Sequence, residues 1–314
     1  MLDIRQTGNY AGYLKNQGWT IEKINGIYYF LRKLPVVGCI LKVQRPETID
    51  FEVIDKLCRK YRVFQVVLEP KSSTADIHNS LIKHDYRLSK STYLPSKTLQ
   101  IDLTQSKEEI LAHFKKDARQ AIRKSLGSDH GGERVFESNH EPRVYDPERP
   151  EGVEGGQGII IRQYSTPNQI KKFREAWKNS VKFTRYVPGE AQLINLRKSF
   201  PQNKSLFLAS HNISGSIIGG LIFTTSSHDR SNYITYYWSA FTSKLGRTSL
   251  SQYSLLYYGI LWAKKQGYKV FDFEGIYDDR FPNRSWLGFT HFKKSFGGVE
   301  LLYPGCYTKF RLPF

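Results

Sequence analysis

Two segments near the end of the chain combine residue types that could do chemistry. Residues 271–275 read FDFEG, which predicts a buried strand that ends at a glycine. Residues 288–298 read GFTHFKKSFGG, whose final glycines would let the backbone approach a ligand closely. Phe292 and Phe296 have the spacing of one helical face, so Lys293 would point away from them, towards a cleft or towards water. A fixed ammonium group there could stabilise a negative charge that develops on a substrate.

The other patterns that usually carry catalysis are missing from the sequence. There is no GxSxG nucleophile motif, no Walker lysine loop and no HExxH, and the three cysteines, Cys39, Cys58 and Cys306, are far apart. Asp278 and Asp279 lie in a predicted loop, where we expect them to form a turn or to be solvated. We therefore expect no metal site, no cofactor and reduced thiols, and we exclude a classical hydrolase or NTPase.

A second group of candidate residues lies on one predicted helix at 107–125. Ser106 and Glu109 form a capping box at its start, and an apolar stripe follows. Five basic residues lie on the other faces: Lys115, Arg119 and Arg123, spaced four apart, with Lys116 and Lys124 beside them. A solvated face is the alternative interpretation. Because Asp117 is the only acid among these residues, we favour a surface that contacts a phosphate backbone.

The elements that position these residues belong to a basic globular protein. The chain has 314 residues, 39% of them hydrophobic, which is enough for one large domain or two ordinary ones. A net charge of +18 favours anionic partners: nucleic acid, sugar phosphates or an acidic membrane surface. The N-terminus has no apolar signal sequence, and polar residues and glycines interrupt the most apolar stretch, 205–223. We expect a cytoplasmic protein, with peripheral contact to the inner face of the membrane left open.

One segment separates two halves of similar character. Residues 127–157 are rich in Gly and Pro and carry a net charge of −5, which predicts a linker or a long excursion. The half before it contains a hairpin signal at Asn25-Gly26. The half after it contains three predicted strands, then a helix at about 248–266 and a buried strand. This order predicts an α+β protein with mixed sheets and a duplicated architecture.

Three motifs in this order resemble the Fem-type (FemABX) aminoacyltransferases. They are residues 10–19 (YAGYLKNQGW), residues 99–103 (LQIDL) before the basic helix, and residues 292–298 (FKKSFGG) after the DFEGI strand. The resemblance covers most of the chain outside the acidic segment. It implies two tandem N-acetyltransferase-like (GNAT-type) domains, with the C-terminus returning to the first. The ranges would then be 1–126 plus 300–314 for the first domain, 127–157 for the linker and 158–299 for the second domain.

The resemblance also implies an activity and its partners. Fem-type enzymes move an amino acid from aminoacyl-tRNA onto the stem peptide of a peptidoglycan precursor, which builds the interpeptide bridge of the cell wall. The implied partners are therefore aminoacyl-tRNA and a UDP-linked muramyl-pentapeptide or its lipid-linked form. No cofactor is implied, since the tRNA ester is already activated. The basic helix would hold the tRNA backbone.

Site residues follow from the same resemblance. Lys23 and Arg185 match family residues that bind the phosphates of the precursor, and Tyr237 matches a tyrosine that contacts substrate. Gly189 stands where the family has a second tyrosine, for which Tyr186 could substitute.

The resemblance names three catalytic candidates: Lys293, Phe292 and Glu69. Lys293, after Phe292, matches the lysine that acts on the acyl-tRNA ester. Glu69 lies where the family can carry an acidic residue considered as a base, although a structural ion pair is the favoured interpretation here.

Other functions remain alternatives on the sequence alone. An acyl-CoA-dependent N-acyltransferase of the same fold needs a (Gln/Arg)-x-x-Gly-x-(Gly/Ala) loop for the pyrophosphate, and residues 243–248 (SKLGRT) lack its first and last elements. A transferase that adds an amino acid from aminoacyl-tRNA to the N-termini of proteins is a second alternative. A non-catalytic tRNA- or RNA-binding protein would explain the charge but not the 292–298 motif.

Overall fold

The computed structural model describes residues 2–72, 74–125, 159–183, 185–226 and 233–311. The linker predicted at 127–157 lies outside them. Among the described residues the strands are β1 (Thr20–Ile24), β2 (Ile27–Leu34), β3 (Gly38–Gln44), β4 (Val63–Glu69), β5 (Arg87–Leu88), β6 (Lys97–Asp102), β7 (Ile160–Tyr164), β8 (Ser205–His211), β9 (Ile217–Ser226), β10 (Ile234–Thr242), β11 (Val270–Asp272), β12 (Val299–Leu302) and β13 (Tyr307–Phe310).

The helices complete the list of elements in the same residues. They are α1 (Gly8–Lys15), α2 (Phe51–Tyr61), α3 (Ala75–Lys83), α4 (Lys107–Ala112), α5 (Lys116–Ser125), α6 (Pro167–Ser180), α7 (Glu190–Ser199), α8 (Lys244–Thr248), α9 (Ser251–Lys265) and α10 (Leu287–Lys294). No helix in the described part of the chain is both long and apolar enough to cross a bilayer.

Contacts divide the chain into two compact units. The first unit contains Met1–Leu99, Glu274–Thr290 and Glu300–Phe314, and the second contains Gln100–Phe273 and His291–Val299. These units differ from the predicted domain ranges, which assign 100–126 to the first domain and 274–290 to the second. Residues 100–102 belong to the second unit because β6 pairs antiparallel with β11 there.

The first unit is built on a mixed sheet in the order β1-β2-β3-β4-β13-β5. Strands β1 and β2 form the hairpin predicted at Asn25-Gly26, where both residues have the positive φ of a tight hairpin turn. Strand β3 then pairs in parallel with β4 through helix α2. The last strand, β13, pairs antiparallel with β4, which confirms that the C-terminus returns to the first sheet.

Helix α2 covers one face of this sheet. Its start is capped by Asp50, whose carboxylate accepts the N–H of Val53 at 3.0 Å. Its apolar stripe, which includes Ile54 and Leu57, packs with the alternate residues of β3 and β4, such as Leu41 and Val66. Alternation along the strands therefore buries one face and leaves Lys42 and Glu69 on the other.

The second unit repeats this pattern. Its strands run in the order β6-β11-β10-β9-β8-β7, and β7 to β10 form an antiparallel meander. Strand β10 then pairs in parallel with β11 through helix α9, and β6 closes against β11 in the antiparallel direction. The two units therefore share one order. An antiparallel meander is followed by a helix (α2 or α9) and a parallel strand (β4 or β11), and an antiparallel strand from elsewhere in the chain (β13 or β6) pairs with that strand. The predicted α+β class and duplicated architecture are confirmed.

Candidate functional site

The side chain of Lys293, a candidate residue of the second unit, is buried and hydrogen-bonded. It lies in the last turn of α10 and is only 5% exposed. Its Nζ atom donates a hydrogen bond of 2.7 Å to the carbonyl oxygen of Phe273 and lies 5.0 Å from the centre of the Tyr237 ring. Burying an ammonium group is costly unless such partners compensate it, so this geometry fixes the cation in place.

The parallel strands β10 and β11 bring these partners together. Tyr236 is the register partner of Asp272, so Tyr237 and Phe273 are the next residues along adjacent parallel strands. A register shift between Tyr237 and Ser239 bends β10 at this point. Burial raises the pKa of the Tyr237 phenol well above its usual value, so the hydroxyl group stays protonated.

Aromatic contacts fix the helix that carries the lysine. The ring of Phe292 packs edge-on against Tyr253 at 4.9 Å and against Phe296 at 5.4 Å. Phe296 is fully buried and also packs on Phe114 at 5.0 Å. Phe292 and Phe296 therefore form one aromatic cluster, while Lys293 points to Tyr237 within β10 and to Phe273 after the end of β11.

The first of the two glycines after α10, Gly297, has a different role from the one its sequence suggests. Gly297 has φ +71°, and a Cβ at this position would lie 2.6 Å from the carbonyl oxygen of His113. Next to it, the N–H of Lys115 donates to the carbonyl oxygen of Ser295 at 2.8 Å. The interpretation that this glycine lets a ligand approach is wrong for Gly297, because it lies against the chain's own backbone.

These contacts also break the predicted basic helix. Residues 107–125 form two helices, α4 and α5, so the prediction of one continuous helix is wrong. The break occurs where Phe114 is buried and where the Ser295 carbonyl accepts the N–H of Lys115. The Arg119 guanidinium group donates to the carbonyl oxygens of Phe114 and Ala112, at 2.5 and 3.3 Å, and so caps the end of α4.

The basic residues consequently divide into two kinds. Lys116 and Lys124 are exposed on α5, and Lys115 is exposed in the break before it. Arg119 and Arg123 are half-buried. The three lysines keep the properties of a phosphate-contacting surface.

In the first unit, Glu69 is held by N–H groups. It is 1% exposed, and its Oε1 atom accepts the backbone N–H groups of Tyr93 and Leu94 at 3.0 and 2.6 Å. Its Oε2 atom accepts the side-chain amide of Gln44 at 3.4 Å. Glu69 thus ties the end of β4 to the chain at 93–94.

The precursor-binding candidates are exposed. Lys23 lies on β1, with Nζ 5.0 Å from the ring centre of its cross-strand partner Tyr28. Arg185 is exposed between α6 and α7, and its N–H donates to the carbonyl oxygen of Lys182 at 2.9 Å. The Tyr186 hydroxyl group, the suggested substitute at this site, donates to Gln192 of α7 at 2.7 Å.

The second unit therefore contains Tyr237, Phe292, Lys293 and Arg185, whereas Lys23 and Glu69 belong to the first. The sequence reasoning missed the Phe273 carbonyl as the partner of Lys293. The one signal in the sequence was Gly275, because glycine favours the positive φ that Glu274 and Gly275 both have where the chain leaves β11.

Comparisons with known proteins identify the fold. No family model matches the chain, and a sequence search of curated proteins finds no match. The structure of FemX superimposes with a TM-score of 0.73 over 98% of this chain and 92% of FemX, at 12% identity. The chain has the FemX fold.

Two further structures share this fold over nearly the whole chain. L-PGS from Bacillus licheniformis gives a TM-score of 0.55 at 15% identity, over 95% of this chain and 86% of its own. A tandem GNAT protein from the clavulanic acid biosynthesis pathway gives 0.52 at 8% identity, over 96% and 87%. The expected tandem GNAT-type architecture is confirmed as a fold.

Residues 243–248, which an acyl-CoA pyrophosphate would need as a binding loop, form helix α8 with Ser243 at its start, and several of their N–H groups bond within the chain. The N–H of Gly246 donates to the Ser243 hydroxyl group at 3.0 Å, and the N–H of Ser249 donates to the Leu245 carbonyl at 2.9 Å. A Cβ on Gly246 would lie 2.2 Å from the carbonyl oxygen of Ile218, so this glycine also packs on the protein itself. At the matching place in the first unit, the carboxylate of Asp50 caps α2.

Proposed function

We propose that this chain is an aminoacyltransferase that moves an amino acid from aminoacyl-tRNA to the stem-peptide amine of a peptidoglycan precursor. The observation that carries the proposal is the buried Lys293 ammonium group, held by the Phe273 carbonyl directly after the end of β11. The resemblance of the 292–298 motif and the FemX fold support the same reaction class.

The chemistry needs little beyond orientation and charge. The acceptor amine attacks the ester carbonyl carbon of the aminoacyl-tRNA, a C–N bond forms, and the carbonyl oxygen becomes an oxyanion. When the oxyanion collapses, the ester C–O bond breaks and the ribose hydroxyl leaves with a proton, while the amine loses one. Lys293 is a fixed cation that would stabilise the oxyanion, and such donors contribute about 3 kcal/mol.

Other residues would hold the two substrates. Lys23 and Arg185 are exposed cations suited to the phosphates of the precursor, Arg185 through two parallel hydrogen bonds. The Tyr237 hydroxyl group stays protonated and can donate a hydrogen bond to a substrate. The exposed lysines Lys116 and Lys124 of α5 would hold the tRNA backbone without reading its sequence.

The acyl-CoA alternative has weaker support. Pyrophosphate groups bind to N–H groups at a helix start. Before α9, the N–H groups of Gly246 in α8 and of Ser249 directly after it already donate within the chain. In the first unit, the Asp50 carboxylate at the start of α2 would repel an anion.

One experiment tests the proposal and names the donor amino acid. The purified protein is incubated with a mixture of charged tRNAs and either UDP-linked muramyl-pentapeptide or its lipid-linked form, and the precursor is then weighed by mass spectrometry. We expect a gain of one amino-acid residue that is lost in Lys293→Ala and kept in Lys294→Ala. No gain with either acceptor would refute the proposal, and a gain of an acyl group from acyl-CoA would establish the alternative.

A further inference from the structure

The turn between β2 and β3 exposes apolar side chains to an unusual degree. Val36 is fully exposed, at 106% of the reference surface, and Val37 is 49% exposed, directly after Pro35. Contiguous exposed apolar patches with a polar rim mark protein or membrane contact sites, whereas exposed apolar residues that are scattered singly are common. We call residues 35–37 the apolar tip.

The backbone holds this tip in a defined and strained shape. The N–H of Val37 donates to the carbonyl oxygen of Pro35 at 2.8 Å, which closes a three-residue turn. Val36 at its centre has φ +69°, a conformation that β-branched residues rarely adopt. Strain that persists in a solvent-exposed turn favours a functional explanation, since a fully exposed valine side chain gains nothing from packing within the protein.

Basic residues surround the apolar tip on both sides. Lys33 is exposed on β2 opposite Cys39. On the other side, the carbonyl oxygen of the exposed Arg62 accepts the N–H of Cys39 at 3.1 Å, and Arg59 is exposed in the last turn of α2. We call Lys33, Arg59 and Arg62 the basic collar.

We propose that the apolar tip inserts into an anionic phospholipid membrane, while the basic collar binds the lipid headgroups. An apolar turn with cations on two sides matches the order of a membrane surface, with anionic headgroups outside and acyl chains beneath. Nucleic acid would explain the collar but offers the valines no apolar partner. This proposal goes beyond the proposed transferase activity. Because its test contains neither tRNA nor precursor, the membrane proposal and the transferase proposal can fail independently.

A second hairpin provides a matched control. Ile213, in the turn between β8 and β9, is 78% exposed. Its neighbours in the turn, Asn212 and Ser214, are polar, and the turn contains no lysine or arginine. It has the exposed apolar side chain without the cations.

The first test measures binding of the whole protein to vesicles by flotation. We expect binding to vesicles of equal parts phosphatidylglycerol and phosphatidylcholine, and little binding to phosphatidylcholine alone. The double variant Val36→Ser, Val37→Ser should bind about tenfold more weakly or worse, because two apolar side chains no longer leave water. Lys33→Gln with Arg62→Gln should also weaken binding and reduce its dependence on salt. Ile213→Ser should bind as the native protein does.

A second test reports on insertion itself. The three native cysteines are buried, so Val36→Cys can be labelled selectively with an environment-sensitive fluorophore. We expect its emission to rise and shift to the blue on anionic vesicles, whereas a label at Ile213→Cys should not respond. Absence of vesicle binding, or binding that is indifferent to the valine variants, would overturn the proposal.

Discussion

The ammonium nitrogen of Lys293 lies 2.7 Å from the carbonyl oxygen of Phe273, twenty residues earlier in the chain. The acceptor is a backbone carbonyl group, and this hydrogen bond fixes the position of the ammonium group. A fixed positive charge in a buried setting is what an oxyanion needs from its surroundings.

Removing this cation should abolish most of the transfer reaction. We expect Lys293→Ala to lower kcat by about 100- to 1,000-fold, because the oxyanion loses its stabilising charge. The neighbouring Lys294→Ala serves as the control and should stay within about threefold of the native enzyme. Steady-state transfer kinetics measure both. A urea unfolding curve of Lys293→Ala measures the separate loss of stability, since the Phe273 carbonyl loses its hydrogen bond at a cost of about 1–3 kcal/mol in the free energy of unfolding. Equal kcat values in the two variants would contradict the assigned role of Lys293.

Glu69 should prove structural. Its Oε1 atom accepts two backbone N–H groups, and a glutamine side chain offers a carbonyl oxygen for the same bonds. We therefore expect Glu69→Gln to keep transfer activity within about threefold and Glu69→Ala to lower the free energy of unfolding by about 1–3 kcal/mol. Transfer kinetics and urea unfolding test this pair. A general base would behave otherwise, with a loss of about 100-fold or more in Glu69→Gln.

The basic residues of α5 should divide into those that bind tRNA and one that stabilises the protein, as measured by the dependence of tRNA affinity on salt and by thermal unfolding. Neutralising Lys116 or Lys124 to Gln should lower the slope of log affinity against log salt for tRNA by about one each. Arg119→Gln should instead destabilise the protein, because its guanidinium group bonds to the carbonyl oxygens that end α4. Filter binding and thermal unfolding give the two readouts. Unchanged salt slopes in both lysine variants would exclude α5 as the tRNA surface.

Stability should fall in mild acid because of His211. Burial, with a smaller contribution from Arg162, lowers the pKa of His211 to about 4, and Nε2 lies 2.9 Å from the Tyr164 hydroxyl group. The unfolded chain binds a proton at His211 below about pH 6.5, but the folded protein does so only near pH 4, so stability is lost as the pH falls through this window. Between about pH 7 and pH 5 we expect a loss of about 2 kcal/mol. Urea unfolding at both pH values should show this loss largely removed in His211→Gln.

Gly297 should tolerate substitution by alanine much less well than Gly267, a glycine with a similar positive φ. A Cβ on Gly297 would approach the His113 carbonyl oxygen to 2.6 Å, whereas Gly267, with φ +82°, has no atom within 4 Å of that position. Gly267→Ala should therefore cost about 1 kcal/mol for backbone strain alone. Gly297→Ala should cost about 3 kcal/mol, since backbone must move as well. Denaturant unfolding of the two variants gives the comparison, and equal losses would show that the His113 contact is easily relieved.

Features that depend on a few adjacent residues were predictable. The Asn25-Gly26 hairpin and the end of α9 before Gly267 both occur where the sequence indicates, because positive φ is a local preference. The spacing of Phe292 and Phe296 likewise placed Lys293 away from their aromatic cluster. These interactions lie within one turn or one helical repeat.

Features that depend on contacts between distant parts of the chain were not predictable from the sequence. The sequence of residues 107–125 is typical of one helix. The burial of Phe114 and the hydrogen bond from the Lys115 N–H to the Ser295 carbonyl oxygen divide it into two. Strand β6 precedes the basic residues in sequence, yet it pairs with β11, about 170 residues later. Helical propensity and periodicity say nothing about such partners.

The sequence by itself determined the α+β class, the charge, the hairpin and the candidate lysine, because composition, turn chemistry and periodicity are local properties. Only the tertiary structure decided that Lys293 bonds to the Phe273 carbonyl, that Gly297 packs on His113, and that Val36 stands exposed. Each of these depends on which surfaces meet when the chain buries its apolar residues. That choice is made by the whole fold, so no short segment encodes it.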